Sequence, residues 1–294
     1  MTRARLNRRG KAALRQVLMS RRLGEAKKPR KRLPRQIPPR AIEREYARRL
    51  VQIAKSLRTA LKPLLDELPG LLRGAREARA LFYDADLARY DAGESRRIRQ
   101  LMEQIRQRAQ LPSGMLEDLA AQFAERVETH QRIQMGKQVR AALGVDVFRE
   151  APALREVIEG FVSENVALIK DMPTKTLSEI EGIVNRGVTS GQLHKDMAKD
   201  ISERLGMGER RAKLIARDQV GKFYGAVSKT RNEAMGIKRF IWRTVNDERV
   251  RDEHSALEGT EWSWDDLPPE GYPGEPIQCR CYPEPVFDDL LAGL

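Results

Sequence analysis

Lys238-Arg-Phe-Ile-Trp-Arg-Thr-Val-Asn-Asp247-Glu-Arg-Val-Arg-Asp-Glu-His254 is where the hydrophobic period of this chain changes. Up to Gly236 the apolar residues recur every three or four positions, the spacing of helices that bury one face. In Lys238–Val245, Phe240 and Trp242 alternate with Ile241 and Arg243, which is the period of a strand. Asn246-Asp247 then turns the chain into an expected short helix through Leu257, stopped by Gly259. A loop rich in proline and glycine, Pro268 to Pro276, leads to a second expected strand over Ile277–Tyr282. The fold class that follows is mostly α with a small C-terminal α+β module, preceded by a disordered basic N-terminal arm.

Upstream, Ile42, Tyr46, Leu50, Ile53, Leu57 and Leu61 form one face of an amphipathic helix, with Pro63 expected to bend or end it and Leu68-Pro69-Gly70 to close the region. Further helix is expected from about Ser95 to Gln110. Another starts near Ser113, with Leu116, Leu119, Phe123 and Val127 on one face and His130 at the core edge. A break at Gly144 and Pro152 precedes helix through Ile169. Three helices are expected in 171–236, opened at Pro173-Thr174, Thr189-Ser190-Gly191 and Glu209, and closed at Gly187, Gly206 and Gly236. His194 is expected at the surface. These signals divide the chain into an arm (1–40), a helical region (41–170) and a C-terminal domain (171–294).

Charge is distributed unevenly. Residues 1–50 hold 18 Lys/Arg against Glu25, Glu43 and Glu45, a net of +15, so the remainder of a chain with net charge +13 carries −2. A tail of that kind seeks a polyanion, and double-stranded DNA is the first candidate. Its expected phosphate contacts are Arg3, Arg5, Arg8, Arg9, Lys11, Arg15, Arg21, Arg22, Lys27, Lys28, Arg30, Lys31, Arg32, Arg35 and Arg40. No run of eighteen apolar residues exists, so no membrane span is expected, and the N-terminus reads as lacking a secretory signal. Two cysteines one residue apart build no disulfide framework and point to a reducing compartment.

All three tryptophans, both cysteines and one of the three histidines fall between Trp242 and Cys281. Asp247, Arg251 and His254 stand at i, i+4 and i+7, one face of a helix. Two readings are open for them: a site in which the carboxylate orients the arginine, or an N-cap aspartate, an ion pair and a packed histidine. Cys279 and Cys281 are too far apart for a mutual disulfide if the segment is extended. They either pack the module as buried thiols or, with His254 and Asp247, supply the soft ligand set of a zinc ion.

The run Trp242, Asp247-x-Arg249-x-Arg251, His254, Leu257, Gly259, Pro273-Gly274 and Cys279-Arg280-Cys281 resembles the phage Mu protein F-like head morphogenesis family, the minor head proteins of tailed phages. Glu164–Lys170, Gly187, Gly191 and Ile215-Ala216-Arg217 are similar to the helical region before that module, so the resemblance spans about 155–287. Two departures from it, at three positions, stand out. Ala216-Arg217-Asp218-Gln219 stands where the family often has Ala-Arg-Thr-Glu, and Gln278 where it often has Asn.

The resemblance implies a structural, non-enzymatic virion protein inside the capsid near the portal, reached from the host cytoplasm during assembly. It implies a portal protein and capsid or scaffold protein as partners, and roles in procapsid assembly, DNA packaging or ejection. Two alternatives belong to other classes: a metal-dependent nuclease or hydrolase using Asp247, His254, Cys279 and Cys281, and a nucleic-acid-binding module unrelated to virions.

Overall fold

The computed structural model describes residues 33–81, 84–144, 151–190 and 192–288. Among these are α1 (Arg40–Ala60), α2 (Lys62–Leu81), α3 (Asp84–Ala109), α4 (Ser113–Leu143), α5 (Leu154–Ser190) and α6 (His194–Ala234). β1 (Arg239–Arg243), α7 (Asp252–Ala256), β2 (Glu261–Ser263) and β3 (Tyr282–Pro285) complete the order. The expected class, mostly helical with a small C-terminal α+β module, is the one observed.

Two compact units emerge, and neither is a single run of sequence such as 41–170 or 171–294. One comprises Arg44–Asp118 and Glu164–Ala216. Its core joins Leu57, Leu61, Leu64, Leu68 and Leu72 to Ile98, Met102 and Ile105 of α3, Ile180 and Val184 of α5, and Met197 and Ile201 of α6. Here the expected breaks at proline and glycine give way. The stripe Leu64, Leu68, Leu72 carries α2 straight through Pro69. Met172, Thr176 and Leu177 are buried on both sides of Pro173, and α5 runs unbroken from Leu154 to Ser190. Thr174 and Thr176 direct their hydroxyls to the carbonyls of Lys170 and Met172, four residues back. Burial likewise takes α6 through Gly206, between Leu205 and Ala212. A proline or glycine costs about 1–3 kcal/mol in a helix interior, and a continuous buried stripe offsets that. Tyr46 hydrogen-bonds Asn165 at 2.9 Å with both fully buried.

The other unit comprises residues up to Glu43, Leu119–Ser163 and Arg217 onward. Its small antiparallel sheet has the order β2-β1-β3, with Phe240 opposite Trp262 and Pro285, and Trp242 opposite Pro283. The second strand expected over Ile277–Tyr282 is displaced: pairing starts at Tyr282, and β2 had no strand signal in the sequence. One core joins Met135, Val139 and Leu143 of α4 to Met235, Ile237 and Phe287. A second holds Phe240, Trp242, Trp264, Cys279 and Cys281. Arg231, 3% exposed, binds Glu128 and Gln131 across this unit, so the buried guanidinium is paired.

Residues 33–39 lie against this unit as an extended segment, which shortens the expected arm of 1–40. Gln36 is 2% exposed; its amide donates to Gln138 at 2.8 Å, and its carbonyl accepts from Tyr224 at 2.7 Å. Gln138 in turn donates to the Pro34 carbonyl, and His130 meets the Ile37 carbonyl at 2.6 Å, which gives that core-edge histidine its partner.

Two glycines on α6 have a different reason to be there. A Cβ on Gly221 would lie 2.9 Å from the Cys279 carbonyl oxygen, and one on Gly225 only 2.6 Å from that of Pro273. Gly136 on α4 has nothing within 4 Å of its would-be Cβ. Gly136→Ala is therefore expected to stabilise the protein by about 0.5–1 kcal/mol, whereas Gly225→Ala forces backbone apart and costs about 1–3 kcal/mol. Urea midpoints of the two variants should move in opposite directions.

Candidate functional site

β1 delivers Trp242 and Arg243 to the centre of the C-terminal module. Trp242 is fully buried, and its backbone exchanges hydrogen bonds with Gly259 and Thr260 at 2.9 and 2.8 Å. Gly259 takes a φ of +79° there, which a side chain would strain. Arg243 grips Glu284 on β3 through two bonds of 3.0 and 3.1 Å and reaches Glu258 at 3.2 Å. The Glu284 hydrogen bond, more than burial opposes it, raises the Arg243 pKa.

The helix expected from Asp247 to Leu257 shrinks to Asp252–Ala256, so Asp247, Arg251 and His254 do not share a helical face. Asp247 instead organises the turn before it, accepting the Arg249 backbone N–H at 3.2 Å while its carbonyl takes that of Val250 at 3.0 Å. Its carboxylate pairs with Arg280 at 2.6 Å and Arg40 at 3.6 Å, not with Arg251. Arg251 donates to the Ile277 carbonyl. Partial burial raises the Asp247 pKa, but the Arg249 N–H and the Arg280 guanidinium outweigh it and hold the carboxyl below its ordinary value.

His254 is 4% exposed, and Cys279 and Cys281 are 5% each. Their ligand atoms lie within 4.8 Å of one another, with Nδ1 of His254 3.5 Å from Cys279 Sγ and 3.6 Å from Cys281 Sγ. The imidazole stands edge-on to Trp242, ring centroids 5.4 Å apart. Three of the four ligands read from the sequence therefore converge. Asp247, the fourth, stands outside the group because its charge is taken by Arg280 and Arg40. Both cysteines are free. The hydrogen bond from Cys281 pulls the Cys279 thiol down to about 6 against the opposing effect of burial, and the same sharing pushes Cys281 up. A cavity of about 20 Å³ opens beside them, lined by Val245, Arg249, Arg251 and Gln278 among others, with room for one water-sized particle.

The segment bearing the cysteines is seated on α6. Asp218, Gly221 and Gly225 fall at i, i+3 and i+7, one face of that helix. Asp218 accepts the Gln278 backbone N–H at 2.8 Å, and the two glycines admit Pro273, Gly274 and Cys279. The neighbouring Arg217 has its Nε buried without a hydrogen-bond partner among the described residues, and burial, then the field of Arg280, lowers its pKa.

Residues 178–283 match the model of the family described as Phage Mu protein F like protein. The resemblance read from Trp242 to Cys281 is thereby borne out. The Mu F-like family is one of phage head morphogenesis proteins. An uncharacterized protein of Haemophilus influenzae is 26% identical over 221 residues, which cover 74% of this chain and 49% of that protein. The chain thus spans about half the length of that relative. No solved structure matches it.

Two of the positions that depart from the Mu F-like pattern touch each other, since Asp218 caps the N–H of Gln278. Gln278 has a φ of +56°, the left-handed region that asparagine tolerates better than glutamine, so its backbone explains the residue often found there. Spacing in α6 could have flagged Gly221 and Gly225; Glu258 and Glu284 had no signal of their own.

Of the expected DNA contacts, Arg35 donates to the Thr244 carbonyl at 3.3 Å and Arg40 meets Asp247. Arg3, Arg5, Arg8, Arg9, Lys11, Arg15, Arg21, Arg22, Lys27, Lys28, Arg30, Lys31 and Arg32 lie outside the described residues.

Asp218→Ala strands the Gln278 N–H and is expected to cost about 1–2 kcal/mol, while Gln278→Asn should raise the urea midpoint slightly. The folded pKa of Asp247 lies below its unfolded value, so its contribution is present at neutral pH and fades as pH falls through the folded pKa. Asp247→Asn should accordingly be less stable than wild type at pH 7, and the two unfolding curves should draw together in acid.

Proposed function

We propose that this chain is a head morphogenesis protein of a tailed phage, a minor capsid protein inside the head near the portal. In this reading its globular part binds portal or capsid protein while residues before Leu33 touch double-stranded DNA, aiding procapsid assembly and DNA packaging or ejection. The observation that carries it is the match of 178–283 to the Mu F-like family. The charge distribution supports it: residues 1–32 hold 13 Lys/Arg against Glu25, whereas the chain beyond residue 50 is nearly neutral.

Cationic residues that meet phosphate without reading bases release counterions, so affinity falls steeply with salt, by about 0.9 in the log–log slope per neutralised phosphate. Arg35 and Arg40, just after this stretch, contact the Thr244 carbonyl and Asp247. The hydrolase alternative included Asp247, whose carboxylate is committed to Arg280 and Arg40, so of its four residues His254, Cys279 and Cys281 converge.

Two measurements test the proposal. Binding of the full chain to a random-sequence duplex should show a slope several units steeper than that of a variant lacking residues 1–32; equal slopes contradict the DNA contact. Co-expression with a portal protein from the same phage should yield a complex on a density gradient, and sedimentation of the chain apart from every head component contradicts the assembly role.

A further inference from the structure

The geometry points to a zinc-binding site formed by His254 Nδ1, Cys279 Sγ and Cys281 Sγ, with a water from the adjoining cavity as fourth ligand. This inference does not depend on the assembly reading above. Its core is an arrangement that hydrogen bonding alone leaves unexplained. An imidazole nitrogen offers one in-plane lone pair or one proton, so Nδ1 serves one sulfur. Here two sulfurs stand at 3.5 and 3.6 Å from the same nitrogen. A tetrahedral ion with metal–sulfur bonds near 2.3 Å and metal–nitrogen bonds near 2.0–2.1 Å sets each sulfur about 3.5–3.6 Å from that nitrogen. Three donor atoms within 4.8 Å of one another therefore already surround a common centre.

The surroundings of the sulfurs agree. The Cys281 backbone N–H donates to Cys279 Sγ at 3.4 Å. The Trp242 indole N–H is buried without a hydrogen-bond partner among the described residues, its ring centroid 5.4 Å from that of His254. A backbone N–H aimed at sulfur is what a metal-bound thiolate accepts as an outer shell.

One imidazole and two sulfurs select a borderline-soft divalent ion and exclude magnesium and calcium, which take oxygen. Each thiol that binds gives its proton to solvent, and the paired thiolates leave the ion neutral overall. The cavity of about 20 Å³ beside the ligands accommodates the fourth, a single water. The ion would join α7 to the segment entering β3, across the turn that Asp247 and Arg280 hold.

The test uses the full chain, freed of metal by chelator under reducing conditions and titrated with zinc or cobalt(II) alone. One equivalent of zinc should bind and raise the thermal midpoint. Cobalt(II) should give the intense visible bands of a tetrahedral centre and a thiolate-to-cobalt charge-transfer band in the near ultraviolet. Cys279→Ser, Cys281→Ser and His254→Gln should each weaken zinc binding by roughly a hundredfold or more, beyond the range for outer-shell changes. Should a variant fail to fold, the wild-type cobalt spectrum decides by itself. Absence of one-to-one binding, a cobalt spectrum without sulfur ligation, or unchanged affinity in a folded Cys281→Ser variant overturns the site.

Discussion

Backbone lies directly on backbone where Gly221 and Gly225 of α6 meet Pro273, Gly274 and Cys279, and the C-terminal module is built outward from that contact. With no Cβ between them, the helix and the loop approach closely enough for Asp218, one turn earlier, to take the Gln278 N–H. Three points along a single helical face thus fix the loop's height, direction and end. The loop leaves that grip at Gln278 in a left-handed turn, which brings both cysteines beneath His254. Displacing the helix contact moves the sulfurs.

Charge secures the perimeter of the same module. Arg243 spans from β1 to Glu284 on β3 and to Glu258 in the turn after α7, so one guanidinium joins three segments. Asp247 holds the opposite side by taking Arg280, the residue between the two cysteines, and Arg40 at the start of α1. Such partly exposed pairs contribute about 1 kcal/mol or less each. Their effect is mainly geometric: they limit which turns the loops adopt while the aromatic core of Phe240, Trp242 and Trp264 supplies the driving force.

The segment 33–39 links the two ends of the chain's chemistry. Gln36, Gln138 and Tyr224 satisfy one another in a buried chain of hydrogen bonds, and such a network fixes one position rather than a range. In the assembly role proposed for this protein, it determines where the cationic residues before it start. On that proposal, a cationic stretch tethered beside the region matched by the Mu F-like family model acts at a defined point on a head structure.

Sequence alone determined the helical class, the change of period at Lys238, the segregation of positive charge and the residue types of the Mu F-like motif. Each of these is local: a period, a composition or a spacing carries its meaning without the rest of the chain. It left open whether Cys279 and Cys281 pack as buried thiols or, with His254 and Asp247, supply the ligands of a zinc ion. Tertiary structure decided where local signals compete with burial. Pro69, Pro173 and Gly206 read as helix ends, yet continuous apolar stripes carry α2, α5 and α6 through them. It decided that Asp247 belongs to Arg280 and Arg40 rather than to Arg251, since a turn formed where a helix was expected. And it decided why Gly221 and Gly225 are glycines, because the atoms they make room for lie about fifty residues further along the chain.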